Sequence, residues 1–111
     1  MKRLIKISVL ATLTTLALSA PALASDLAAG EAVYNKACKA CHGMGVMGAP
    51  KLGDHEDWEK RMTQGMPTLI EHSVKGFKGE KGMMPAKGGN ASLTDQEVED
   101  AVAYMVSKAK H

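Results

Sequence analysis

Apolar positions follow a helical rhythm at both ends of this chain and a strand rhythm nowhere. From Leu27 to about Lys39, the positions Leu27, Gly30, Val33, Tyr34 and Ala37 share one helix face, with Ser25 or Asp26 placed to cap its start. Gly30 interrupts that face, and a mid-helix glycine costs stability relative to alanine. It predicts that another helix crosses closely there. The clearest element is the last: Thr94 and Glu97 form a capping box, and Leu93 and Val98 a hydrophobic staple. In the same element Val98, Ala101, Val102 and Met105 recur at i, i+3, i+4 and i+7, with Tyr104 beside them.

Two shorter helices are predicted between these. Asp54 and Asp57 open one that runs through Trp58, Arg61 and Met62 and stops at Gly65. Met66-Pro67 opens another, with Leu69, Ile70 and Val74 on one side and Gly76 as its stop. Two glycine-rich stretches, residues 43–50 and 76–90, read as loops without regular structure. With no internal repeat or domain linker, the pattern describes one all-α domain.

The first 24 residues stand outside this pattern. Lys2, Arg3 and Lys6 lead into an uncharged run from Ile7 to Ala20 that ends at Ala22-Leu23-Ala24, the form of a secretory leader cleaved between Ala24 and Ser25. Ser8, Thr12, Thr14, Thr15 and Ser19 break the apolar run, which is too short for a permanent span. The expected mature domain is therefore residues 25–111. The leader carries three of the 14 Lys and Arg but none of the 12 Asp and Glu, leaving 11 basic against 12 acidic residues. Such a near-neutral chain without a basic run has no footprint for nucleic acid and no polybasic membrane patch.

The mature domain has one Trp, one Phe and two Tyr. Domains this small often need a staple or a cofactor. Both cysteines lie in Cys38-Lys39-Ala40-Cys41-His42, a CxxCH segment. Two thiols at this spacing can each add across a haem vinyl group, and the adjacent imidazole can reach the iron. A covalent haem would also supply the missing core. The same residues admit half of a zinc site or a dithiol redox pair, so the rest of the chain has to decide. Pro50, at the end of the following loop, has a carbonyl able to accept the His42 Nδ1 proton and so orient the ring. Met83-Met84-Pro85 lies in the second loop, where proline stiffens the backbone behind a sulfur donor.

Taken in order, the leader, the Gly30 to Tyr34 helix running into CxxCH, Gly48-Ala49-Pro50-Lys51-Leu52-Gly53, the Met-Pro-x-Lys-Gly-Gly segment and the Tyr-bearing last helix resemble class I cytochrome c. The resemblance covers Leu27 to Lys108 and is nearest to the small bacterial cytochrome c5 type. It implies N- and C-terminal helices crossing, with short helices and loops around one covalently attached haem c. Cys38 and Cys41 would form the thioethers, His42 would be the proximal iron ligand and Met84 the distal one. Gly30 and Tyr34 would pack near Tyr104. A second cysteine pair found in some c5-type members is absent at Asn90-Ala91-Ser92.

The chain has eight methionines. Met44 and Met47 lie close to His42 in sequence, Met62 and Met105 fit core-facing helix positions, and Met83 is the rival to Met84. His55 and His72 are possible bis-His ligands, but each lies on a short helix among charges and reads rather as a solvated surface imidazole. Trp58 is a candidate wall of the haem pocket whose indole needs a partner, a haem propionate among the options; Arg61, one turn later, could pair with a propionate too but reads first as part of a solvated face. Lys39, Lys75, Lys78, Lys81 and Lys87 form a candidate surface for an acidic redox partner. The resulting expectation is a periplasmic electron carrier rather than an enzyme, working between redox partner proteins. The alternative is a gas-binding or peroxide-active haem protein with a labile distal methionine.

Overall fold

In the computed structural model residues 25–110 are described; the leader over residues 1–24 and its cleavage point lie outside them. Helix α1 (Leu27–Val33) begins at Asp26, whose carboxylate accepts from the Ala29 amide at 3.0 Å. It continues without a break through a π-helical turn, Tyr34–Cys38, into α2 (Lys39–His42). The helical path therefore runs three residues beyond the periodicity. Wider turns of this kind recur at functional sites, and here the turn delivers Cys38 as its last residue.

Asp54 caps α3 (His55–Met62), accepting from the Asp57 amide at 3.1 Å. Pro67 lies in the first turn of α4 (Met66–Lys75), which ends at Gly76 with φ 85°. At α5 (Asp95–Ala109) both halves of the capping box are made. The Glu97 amide donates to Thr94 Oγ1 at 3.1 Å, and the Thr94 amide to Glu97 Oε1 at 3.0 Å.

The stretch between Gly76 and Asn90 is more ordered than its composition indicates. Strand β1 (Phe77–Lys78) pairs antiparallel with β2 (Met83–Met84), Phe77 opposite Met84 and Lys78 opposite Met83. The Gly79 amide closes the turn on the Gly82 carbonyl at 2.8 Å, so these glycines build a tight hairpin instead of dissolving the backbone. A 3-10 turn, Ala86–Gly89, leads on towards α5. The architecture is otherwise all helical.

The core forms where α1 crosses α5. Val33, Tyr34, Val98, Ala101, Val102 and Met105 are buried there, and the rings of Tyr34 and Tyr104 meet at 5.4 Å between centroids. A Cβ on Gly30 would collide with the carbonyl oxygen of Asp100, which is the close crossing the glycine predicts. The buried Asp100 carboxylate adds a polar clasp, accepting from the Asp26 amide at 3.1 Å and from Gln96 Nε2 at 2.9 Å.

Candidate functional site

The end of α2 presents His42, which is buried. Its Nδ1 lies 2.9 Å from the Pro50 carbonyl oxygen. A carbonyl only accepts, so Nδ1 carries the proton and Nε2 keeps a lone pair. The intervening loop is pinned from the other side as well, where the Leu52 amide donates to the His42 carbonyl at 2.7 Å. Burial depresses the His42 pKa, and the Arg61 charge acts the same way against the opposing Pro50 bond. The ring is thus neutral and oriented, as a metal-binding imidazole must be.

Cys38 is half-buried and Cys41 exposed, and no disulfide joins them. Burial, with a smaller push from Cys41, raises the Cys38 thiol to about 11. Dithiol oxidoreductases depend instead on a thiol lowered towards neutrality at a helix start; here the pair ends a helix. Among the described residues no three of His, Cys, Asp or Glu gather as a metal-binding group, so the zinc reading finds no ligand set.

Cys38, Cys41 and His42 line a cleft of about 1010 Å³ that also takes in Trp58, His72 and Met84. That is at the upper end of ligand-pocket volumes, about 300–1,000 Å³, in a domain of fewer than ninety described residues. In β2 both methionines border the cleft, Met83 64% exposed and Met84 half-buried. Met62 and Met105 pack in or against the core, and Met44 and Met47 are exposed. The cleft therefore pairs two thiols and a lone-pair nitrogen with a half-buried thioether, a donor set and a size that fit a haem.

Several side chains take partners that the residue pattern did not name. Trp58 is buried against the cleft with its ring 6.1 Å from that of His42. Its indole N–H donates to the Lys51 carbonyl at 3.0 Å, so the chain itself supplies the partner and no propionate is required. Arg61 is held rather than solvated: Nε donates to Asp57 at 3.0 Å and Nη2 to the Gly48 carbonyl at 3.4 Å. His55 is no free surface imidazole either, since Nδ1 lies 2.5 Å from the Ala109 carbonyl oxygen and Nε2 3.3 Å from Glu59.

Sequence reasoning set His72 aside as a surface imidazole and did not single out Phe77. Their rings stack at 3.9 Å with 12° between planes, and both line the cleft. His72 lies three positions after the buried Leu69, a helical neighbour spacing that carried the signal. Among the five lysines, Lys87 turns inward to the Leu93 carbonyl at 2.8 Å and Asp95 at 3.3 Å. Lys75 pairs with Glu71 at 3.0 Å, whereas Lys78 and Lys81 lie along the cleft.

Crossing terminal helices, a haem-sized cleft between them and the hairpin, and a CxxCH segment along its wall define the class I cytochrome c construction. Comparison with known proteins agrees, and the chain belongs to the cytochrome c family. Residues 25–105 match the family model described as cytochrome C oxidase, cbb3-type, subunit III. Cytochrome c-555 of Chlorobaculum tepidum is 58% identical over 95 residues, which cover 86% of this chain and 88% of that protein. Cytochrome c5 of Azotobacter vinelandii is 37% identical over 78 residues, covering 68% and 89%. A solved cytochrome c, from an electron transfer complex with nitrite reductase, superposes with a TM-score of 0.65 at 41% identity, covering 74% of this chain and 95% of that one. The cofactor is haem c.

Proposed function

We propose that this chain is an exported monohaem cytochrome that shuttles single electrons between redox partners, with iron held between His42 and Met84. The observation that supports this most is the common cleft, to which α2 brings a neutral, oriented imidazole and β2 a half-buried thioether from forty-two positions away. Haem iron supplies a one-electron ferric/ferrous couple. Cys38 and Cys41 hold the group covalently, and the single CxxCH segment gives one attachment point. Met84 contributes a weak, soft sulfur donor that favours the reduced state and raises the potential. If His42 and Met84 both held the iron, the chain's own side chains would take the places a substrate needs, which suits carriage rather than catalysis.

The leader over residues 1–24 would deliver the chain to the periplasm. Among the described residues no helix is long and apolar enough to cross a membrane. The relative solved with nitrite reductase supports a protein partner of redox type for this chain also. Lys78 and Lys81 beside the cleft suit an acidic docking surface on it.

An absorption spectrum of the exported protein tests the reading. A covalent c-type haem is expected, with a ferric near-infrared sulfur-to-iron band that Met84→Ala removes and Met83→Ala leaves. The opposite pattern would assign the sulfur to Met83. Ready carbon monoxide binding by the native ferrous form would favour the gas-binding alternative.

A further inference from the structure

We infer that Lys87 is a positioning residue for Met84, tying the ligand-bearing hairpin to the start of α5; the inference rests on the Met84 ligation proposed above. Lys87 has a left-handed backbone, φ 54°, and only Met47 shares that state among the described non-glycine residues. A long L side chain is disfavoured there. Its side chain is 23% exposed, with Nζ 2.8 Å from the Leu93 carbonyl and 3.3 Å from Asp95 Oδ1. A cation beside a helix start also opposes the helix dipole. The carboxylates of Asp95 and Glu97 in the first turn offset that.

Two locally unfavourable choices thus coincide in one residue, and such outliers persist where the surroundings impose them. What they achieve is visible in the adjoining backbone. The Gly88 amide bonds back to the Pro85 carbonyl at 3.1 Å, closing the turn that follows Met84. A Cβ on Gly88 would come within 2.7 Å of the Ala37 carbonyl oxygen, so this turn lies directly on the helix that carries CxxCH. On the other side, a Cβ on Gly76 would stand 3.2 Å from the Met84 carbonyl oxygen and 3.0 Å from the Ala86 amide nitrogen. The Met84 segment is therefore wedged between the end of α4 and the CxxCH helix. Lys87 is the side chain that fastens the wedge to α5.

A tether of this kind acts on the axial sulfur, whereas a strap for α5 alone would act on unfolding. Lys87→Ala, Lys87→Gly and Lys87→Arg, each expressed with haem attached, separate the two. Glycine relieves the left-handed backbone but loses the ammonium, so its behaving like alanine identifies the tether as the active part. Both are expected to retain covalent haem and helical content, to weaken the near-infrared sulfur-to-iron band and to lower the potential. Ferrous carbon monoxide binding should quicken by about tenfold, the scale of one charged hydrogen bond, and arginine should restore much of the native behaviour. A full band with native carbon monoxide resistance in both Ala and Gly variants would overturn the inference. If Lys87→Ala does not fold, Lys87→Gly and Asp95→Asn carry the same test. Met84→Ala run alongside separates the two claims: a retained band there defeats the ligand assignment, while a lost band with unaltered Lys87 variants defeats only the tether.

Discussion

Gly30 and the carbonyl oxygen of Asp100 approach so closely that no side chain fits between α1 and α5. Everything that fixes one helix on the other follows from this approach: the Tyr34–Tyr104 ring contact and the Asp100 clasp on the Asp26 amide both need the helices at backbone distance. Gly30→Ala improves intrinsic helix propensity by about 1 kcal/mol. The Cβ nevertheless forces the crossing apart, at a cost of roughly 1–3 kcal/mol or more in overpacked sites. Net destabilisation is expected in denaturant unfolding, and an unchanged or raised midpoint would disprove the close crossing.

Trp58 ties the loop after His42 to α3. Its indole N–H is the donor for the Lys51 carbonyl, and its ring stands beside His42. Trp58→Phe keeps most of the apolar surface and loses one hydrogen bond, while the Lys51 carbonyl retains the Asp54 amide at 3.0 Å, so the cost is about 0.5–1.5 kcal/mol. Trp58→Ala should cost more, about 3–5 kcal/mol by cavity formation. Thermal melts of the haem-loaded variants measure both, and equal melting points for native and Phe variants would show that the hydrogen bond contributes nothing.

The helices were legible in the chain because each carries its own punctuation: Asp26, Asp54 and Thr94 at the starts, Gly65 and Gly76 at the stops. The CxxCH and Met-Pro segments likewise declared themselves by residue type. What the sequence did not disclose depends on long-range placement. The π-helical turn at Tyr34–Cys38 has no local code, and the hairpin holding Met84 is two residues per strand, too short for alternation to register. Trp58, His55 and Lys87 each take a backbone carbonyl as partner, which every residue offers equally. His72 was hidden for another reason: charge around it in sequence suggests solvent, yet its helix turns it towards Phe77 and the cleft.

The capping box at α5 gives the fold an acid-side dependence. The Thr94 amide and hydroxyl, with lesser help from Lys36 and Lys87, hold the Glu97 carboxyl below its ordinary value. A carboxyl depressed in the folded state contributes stability above its unfolded pKa and loses it as pH falls through the folded value. Melting points should therefore drop on acidification below the usual glutamate range. Glu97→Gln keeps an acceptor for the Thr94 amide but cannot titrate. Its melting profile should be flatter than native over that window; parallel profiles would remove Glu97 as a contributor.

Placement sorts the lysines into those free to meet a partner and those already engaged. Lys78 and Lys81 flank the cleft by way of the hairpin, whereas Lys87 is committed to Leu93 and Asp95 and Lys75 to Glu71. Long-range attraction accelerates encounter most when the charges lie near the docking site, and added salt screens it over about 10 Å at 0.1 M. Charge reversal at Lys78 or Lys81 should thus slow electron transfer to an acidic partner at low ionic strength and shrink the difference between low and high salt. Reversal at Lys75, which does not line the cleft, should do less. Stopped-flow rates across a salt series decide the matter, and identical salt slopes for the Lys78, Lys81 and Lys75 variants would detach docking from the cleft margin altogether.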